Sequence, residues 1–245
     1  MEIFKNIMKK LLFYSFLFLS FNVLGQDNKI LIGVNFSPEY SYRMLKSTGK
    51  EHEEINIDNW IKHLNETETG KFGYTTGINA IYNFSKLFGI EIGVQYSVKG
   101  YQTKWTDLIF MVPEPGLPDK YKHRYEYGYI DVPLKANFTF GENKLRYIAT
   151  AGFATNFLIE EKTIFVKKFG NKTEEQTNAK ISSHTNKFNI SSIIGAGVEY
   201  KISDKVSVRA IPSFKFGLIR TYDVPYISMY LWSAGIDIGI FYGIK

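Results

Sequence analysis

The stretch 233–245, "SAGIDIGIFYGIK", places one ionised side chain, Asp237, between Ile236 and Ile238. In a β-strand successive side chains point to opposite faces, so Asp237 and its isoleucine neighbours never share a surface. Read back to Tyr230, one face carries Tyr230, Trp232, Ala234, Ile236, Ile238, Ile240 and Tyr242, and the other Ser233, Gly235, Asp237 and Gly239. The period is two, not the 3.6 of a helix.

The same split recurs in seven further segments, near 29–42, 72–84, 90–102, 125–140, 144–160, 188–202 and 206–222. Their apolar faces include Ile30, Ile32 and Val34, Tyr74 and Ile78, Ile92 and Val94, Leu134 and Phe138, and Phe214 and Phe216. "SKLF", "GEN" and "SDK" are tight turns, whereas 43–70, 105–122 and 162–186 are long and polar. Short turns at one end and long loops at the other describe a bacterial outer-membrane barrel. An even strand number returns both termini to the short-turn, periplasmic side.

Eight two-faced strands also suit a soluble barrel with its apolar side inward. Three features favour the inverse. The polar face is rich in glycine and serine, which the crowded interior of an eight-stranded barrel needs and a wet exterior does not. The apolar face of the last strand ends in aromatics, and its ten to twelve residues, tilted by ~40°, span about 25–30 Å, near the height of a lipid-facing band. Finally, Lys5, Lys9 and Lys10 precede the apolar run "LLFYSFLFLSFNVLG", ending at Gly25, which reads as a signal peptide for the Sec route over 1–25. Met1 and Met8 both offer a start. The expected barrel domain is then 26–245.

The expected fold is therefore all-β: an eight-stranded antiparallel up-and-down transmembrane β-barrel, with short periplasmic turns and long extracellular loops. Mean hydropathy of −0.16 excludes a bundle of membrane helices. With no cysteine there is no disulfide, thiolate zinc site or cysteine nucleophile. The formal charge is +6, but the basic residues are scattered and form no stripe that would read nucleic acid.

On this reading the polar face lines the lumen, and Glu39, Glu91, Lys99, Asp131, Lys135, Arg146, Glu199, Arg209, Lys215 and Asp237 fall on it. Their mixed signs allow mutual neutralisation, which a buried charge requires. Counting back from the "SDK" turn sets Glu199 opposite Arg209, and a pair between Lys215 and Asp237 is also expected. Eight strands enclose a width that side chains fill, so a continuous pore is not expected.

"IEIGVQYSVKGYQTKW" and "YGYIDVPLKANFTF", with Tyr129, Ile130, Asp131, Val132, Pro133, Leu134 and Lys135, carry a resemblance. They are similar to stretches of the PorT-type outer-membrane β-barrel family of Gram-negative bacteria, often labelled porins, and the likeness runs over nearly the whole mature chain. The resemblance implies the barrel fold and, from one branch, a link to a protein-secretion machine of the envelope. Outer-membrane lipid, lipopolysaccharide and the barrel-assembly machinery are the other expected partners. Many such barrels end on an aromatic residue; here Phe241 and Tyr242 lie inboard of Lys245.

No residue set marks a catalytic, cofactor or metal site. His52, His63, His123 and His184 lie in or beside the long loops without a shared ligand spacing. Ser182, Ser183 and Ser228 could lie near His184, the basis of a rim hydrolase or acyltransferase reading. Pro133 removes a ladder donor, as either a bulge shaping a site with Asp131 and Lys135 or a kink of the wall. In "NIDNWIKHLN", Ile57, Trp60, Ile61 and Leu64 have helical spacing, with Asp58 as cap. With Leu108, Ile109, Phe110 and Met111 they form either a docking patch or two loops packed on each other. The third loop, with its excess of lysine, reads as polar and mobile. The function expected is a non-enzymatic outer-membrane protein acting through its loops or within an envelope or secretion assembly. A small porin-like channel or solute-uptake protein is the alternative.

Overall fold

The computed structural model describes residues 29–49, 56–110, 116–223 and 225–244. The alternating segments become long strands: β1 Ile30–Ser47, β2 Glu68–Asn83, β3 Phe88–Thr103, β4 Thr106–Asp107, β5 Lys120–Phe140, β6 Leu145–Phe169, β7 Lys172–Ala179, β8 Phe188–Lys201, β9 Val206–Gly217, β10 Tyr222–Asp223 and β11 Ile227–Ile244. Among the described residues one helix, α1, spans Ile57–Thr67. Eight of the described strands form an antiparallel ring, β1-β2-β3-β5-β6-β8-β9-β11, which closes because β11 pairs with β1. Lipid offers no hydrogen bonds, so closure is the way a sheet satisfies its edge groups there.

The register fixes the tilt. Stepping between paired residues leads from Ile30 to Tyr82, Ile90, Ala136, Ala151, Ile194, Phe214 and Ala234, and returns to β1 at Tyr40. One circuit therefore advances ten residues along β1. At ~3.3 Å per residue and ~4.8 Å between strands, that stagger tilts eight strands by roughly 40°. All nine residues on this path lie on the outward face.

The faces divide as the alternation requires. Ile32, Val34, Ile78, Ile92, Val94, Leu134, Phe153, Ile194, Ile238 and Ile240 are exposed on the outside, while Ser37, Glu39, Thr75, Glu91, Ser97, Asp131, Glu199 and Ser233 are buried within. Aromatics ring the outer face toward both ends: Tyr40, Phe72, Tyr74 and Phe214 toward the long loops, and Tyr82, Phe138, Tyr147, Tyr200 and Tyr242 toward the short turns. The interior is tight enough to need glycine. A Cβ on Gly93 would stand 2.0 Å from Asn79 Oδ1 and 2.6 Å from the Ile78 carbonyl.

Three expectations change. Pro133 makes no bulge: the β3–β5 register is the same on both sides of it, and pairing lapses only at Pro133 and its neighbour Val132, with Pro133 facing Gly93. The irregularity sits instead between Gly128 and Tyr129, where β5 meets β6. The third loop is largely a hairpin. β6 runs on to Phe169, turns at Gly170 and Asn171, and returns as β7. Gly170 has φ +54°, which a two-residue hairpin turn demands and glycine supplies without strain. Helix α1 forms at the expected place, but Asn56 caps it, its side chain accepting from the Asn59 N–H at 3.0 Å. The expected signal peptide, His52, Met111 and Lys245 lie outside the described residues.

Candidate functional site

The inward face carries an ionic net built by the register. β8 and β9 face each other across the tight turn, which sets Glu199 opposite Arg209, and β6 sets Arg146 opposite Glu199. Arg209 Nε donates to Glu199 Oε1 at 3.1 Å, while Arg146 pairs with Glu199 Oε2. Arg209 also lies 3.9 Å from Glu91 Oε2 and stacks over Phe241, 4.8 Å from its centroid. Lys135 pairs with Glu91 at 2.6 Å and with Asp237 at 3.5 Å. Asn137 Nδ2 donates to Glu91, and Asn35 Nδ2 to Asp237. Leu31, Ile81 and Phe241 close this net toward the short turns.

Above it, Lys215 Nζ donates to Glu39 Oε1 at 2.5 Å, and the Thr75 hydroxyl donates to the same oxygen at 2.7 Å. Lys99 pairs with Asp131 at 3.3 Å, Asn156 Nδ2 donates to Asp131 at 2.6 Å, and Ser191 Oγ donates to Asn156 Oδ1. All ten expected lumen charges thus sit in ion pairs, five acids and five bases. One expected pair does not form. Lys215 lies opposite Ser233, and Asp237 opposite Ile211, four residues further along β9. The β9–β11 connection is long, so no tight turn fixed that register in the sequence, and each residue takes a partner from another strand.

Toward the long loops the centre of the lumen is filled by aromatic and aliphatic side chains. Tyr127, Tyr129, Leu158, Met229 and Leu231 form a buried plug, with Leu45, Tyr101, Tyr125, Ile181 and Tyr222 against it. Lys99 meets its lower surface, 5.7 Å from the Tyr129 ring centroid. Between net and plug lies a cavity of about 10 Å³, lined in part by Lys99, Asn156, Ser191 and Lys215, enough for about one water.

Residues assigned to loops join the wall. Arg43 extends the inward run Asn35, Ser37, Glu39, Ser41 by one step. It pairs with Glu68 at 2.5 Å, and its Nη1 donates to Asn65 Oδ1 of α1 at 3.1 Å. Lys71 pairs with Glu126 at 3.1 Å. The period-two signal at Arg43 was present in the sequence; nothing there marked the plug.

At the long-loop end, α1 meets β1 and β2. Trp60 is exposed, Ile61 and Leu64 are half-buried, and none of the helix is fully buried. Leu108 is half-buried, Phe110 is exposed, and Ile109 is 94% exposed. β5 and β6 rise past the ring with β4 and β7 as flanking strands. There Lys122 lies 4.9 Å from the Trp105 centroid and donates to Gln102 Oε1. Burial, with Arg124 beside it, lowers the Lys122 ammonium pKa.

The rim residues do not assemble into a triad in the described structure. Ser183 Oγ lies 3.5 Å from His184 Nδ1, both exposed, and the ring of His184 faces Tyr222. Ser182 Oγ accepts from the His184 N–H, and Ser228 is buried apart from them on β11. His63 stacks near Trp60, and His123 on Phe165. Among the described residues no three His, Cys, Asp or Glu are grouped to hold a metal.

Several solved structures are similar to this chain, three of them as follows. Neisserial surface protein A is 11% identical, with a TM-score of 0.44 over 88% of this chain and 97% of its own. OprG from Pseudomonas aeruginosa is 11% identical, with a TM-score of 0.43 over 89% and 97%. The outer membrane protease OmpT from Escherichia coli is 7% identical, with a TM-score of 0.44 over 92% and 100%. No curated protein matches the sequence. The sequence pattern of the family described as outer membrane protein beta-barrel domain matches residues 21–242.

Proposed function

Since this chain belongs to the outer membrane protein beta-barrel domain family, we propose that it is a non-enzymatic outer-membrane protein that works through its long-loop end. The carrying observation is the contrast between a filled lumen and an unfilled crown. Paired charges and the Tyr127–Leu231 plug occupy the interior, while Trp60, Ile109 and Phe110 stand exposed beyond the ring. Exposed apolar side chains on the loops beyond the ring are available to a partner, and a contiguous patch of them is what an interaction surface would need.

The Asp131–Lys135 stretch supports a place in the PorT-type branch, and hence a partner in an envelope or secretion assembly. In this reading residues 1–25 direct Sec export, both termini face the periplasm, and the long loops meet the cell exterior and lipopolysaccharide. Crosslinking in intact cells from a photoreactive residue at Trp60 or Phe110 tests it. A discrete envelope protein captured from both positions supports the reading; lipopolysaccharide alone removes it. The same reading expects no ion conductance in a planar bilayer, and stable conductance steps would put the small-channel alternative in its place.

A further inference from the structure

The short-turn mouth of the barrel holds a niche of about 70 Å³, open to solvent and separate from the plug and the loops. One water needs about 10–15 Å³, so this space admits a polyatomic guest. Arg146, Glu199, Lys201, Lys205 and Ser207 are among its lining residues. Their placement follows from the ladder: Arg146 faces Glu199 on β6 and β8, and Lys201 faces Ser207 across the tight turn of β8 and β9.

Two observations point to an anion. The first is charge. Glu199 is shared between two guanidiniums, Arg146 on one oxygen and Arg209 on the other, while Arg209 also reaches Glu91, so the arginines are balanced within the net and the excess at the mouth comes from lysines. Lys201 and Lys205 add two cations at the same mouth and enter no ion pair among the described residues. Asp204 in the turn is the opposing charge. The second is an orphaned donor. Arg146 commits one terminal nitrogen to Glu199, while its Nε–H is buried without an acceptor. A charged donor left so is costly unless a guest accepts from it.

We propose that this niche is a seat for a single oxyanion, a phosphate or a carboxylate. Arg146 Nε–H donates to it, and Lys201 and Lys205 supply the field that holds it. The seat is independent of the long-loop docking surface and stands or falls separately. On the orientation proposed above it faces the periplasm, where a phosphorylated ligand or the terminal carboxylate of a partner chain would present that group.

The test uses the full chain folded in lipid nanodiscs, titrated with inorganic phosphate at fixed ionic strength. The Nε–H resonance of Arg146, assigned by its loss in Arg146→Lys, is the readout. A saturable shift of that resonance is expected, with affinity about tenfold weaker in the Lys201→Gln/Lys205→Gln double variant, whose replaced residues bear no lumen ion pair. Competition by acetate and by a peptide with a free but not an amidated C-terminus assigns the seat to carboxylates; competition by phosphate esters alone assigns it to phosphates. No saturable shift with any of these anions, or unchanged affinity in the double variant, overturns the proposal.

Discussion

The short-turn half and the long-loop half of the lumen fill one width with different chemistry, the first wholly ionic and polar at its centre, the second apolar at its centre with the Arg43–Glu68 and Lys71–Glu126 pairs beside it. Below, Glu91, Lys135, Arg209, Glu199 and Asp237 form a hydrogen-bonded ionic net. Above, Tyr127, Tyr129, Leu158, Met229 and Leu231 form an apolar plug. Both halves have the same outer face, because lipid rejects charge there whatever lies within. The inner face obeys a looser rule: it must be filled and its polar groups paired, and either chemistry does that. Polarity is therefore diagnostic on the outside of this wall and only conditional on the inside.

The comparison breaks most easily at Glu91. Replacing it by alanine leaves Lys135 and Arg209 short of a partner, and a broken buried pair costs about 3–5 kcal/mol. Urea unfolding in lipid vesicles should show that loss; a cost below about 1 kcal/mol would mean the net is wet rather than structural. In the plug, Leu158→Ala should cost about 2–4 kcal/mol by the same assay, through a cavity and not a stranded charge. On the outer wall, Ile194→Arg near mid-strand should cost about 2–3 kcal/mol, although Arg209, Arg146 and Arg43 are tolerated within. The smallest effect belongs to the crown. Lys120 pairs with Asp107 at 2.8 Å, but both are exposed, so Lys120→Gln should change stability by less than about 1 kcal/mol.

Legibility followed the solvent. Where lipid touches one face, as along Ile236, Ile238 and Ile240, alternation named the strand, its face and its neighbours. The tight "SDK" turn carried register as well, so Glu199 and Arg209 could be placed opposite each other from sequence. Across the long β9–β11 connection no such count was possible, and Lys215 was given the wrong acid. Past the lipid both faces are wet, alternation fades, and β7, "KTEEQTNA", looks like a polar loop although its backbone pairs with β6. The plug was hidden for another reason. Leu158, Met229 and Leu231 are apolar residues on the inner face, and composition alone does not say that such residues meet across a barrel.

Isoleucine methyl resonances offer the most direct test of the face assignment, since the chain supplies the residue on both sides of its wall. In lipid nanodiscs, acyl-chain protons should give cross-relaxation to Ile78, Ile194, Ile236 and Ile238, and none to Ile81, Ile148 or Ile211, which are buried within. Acyl-chain contacts to the second group and water contacts to the first would show the wall inside out and contradict the account.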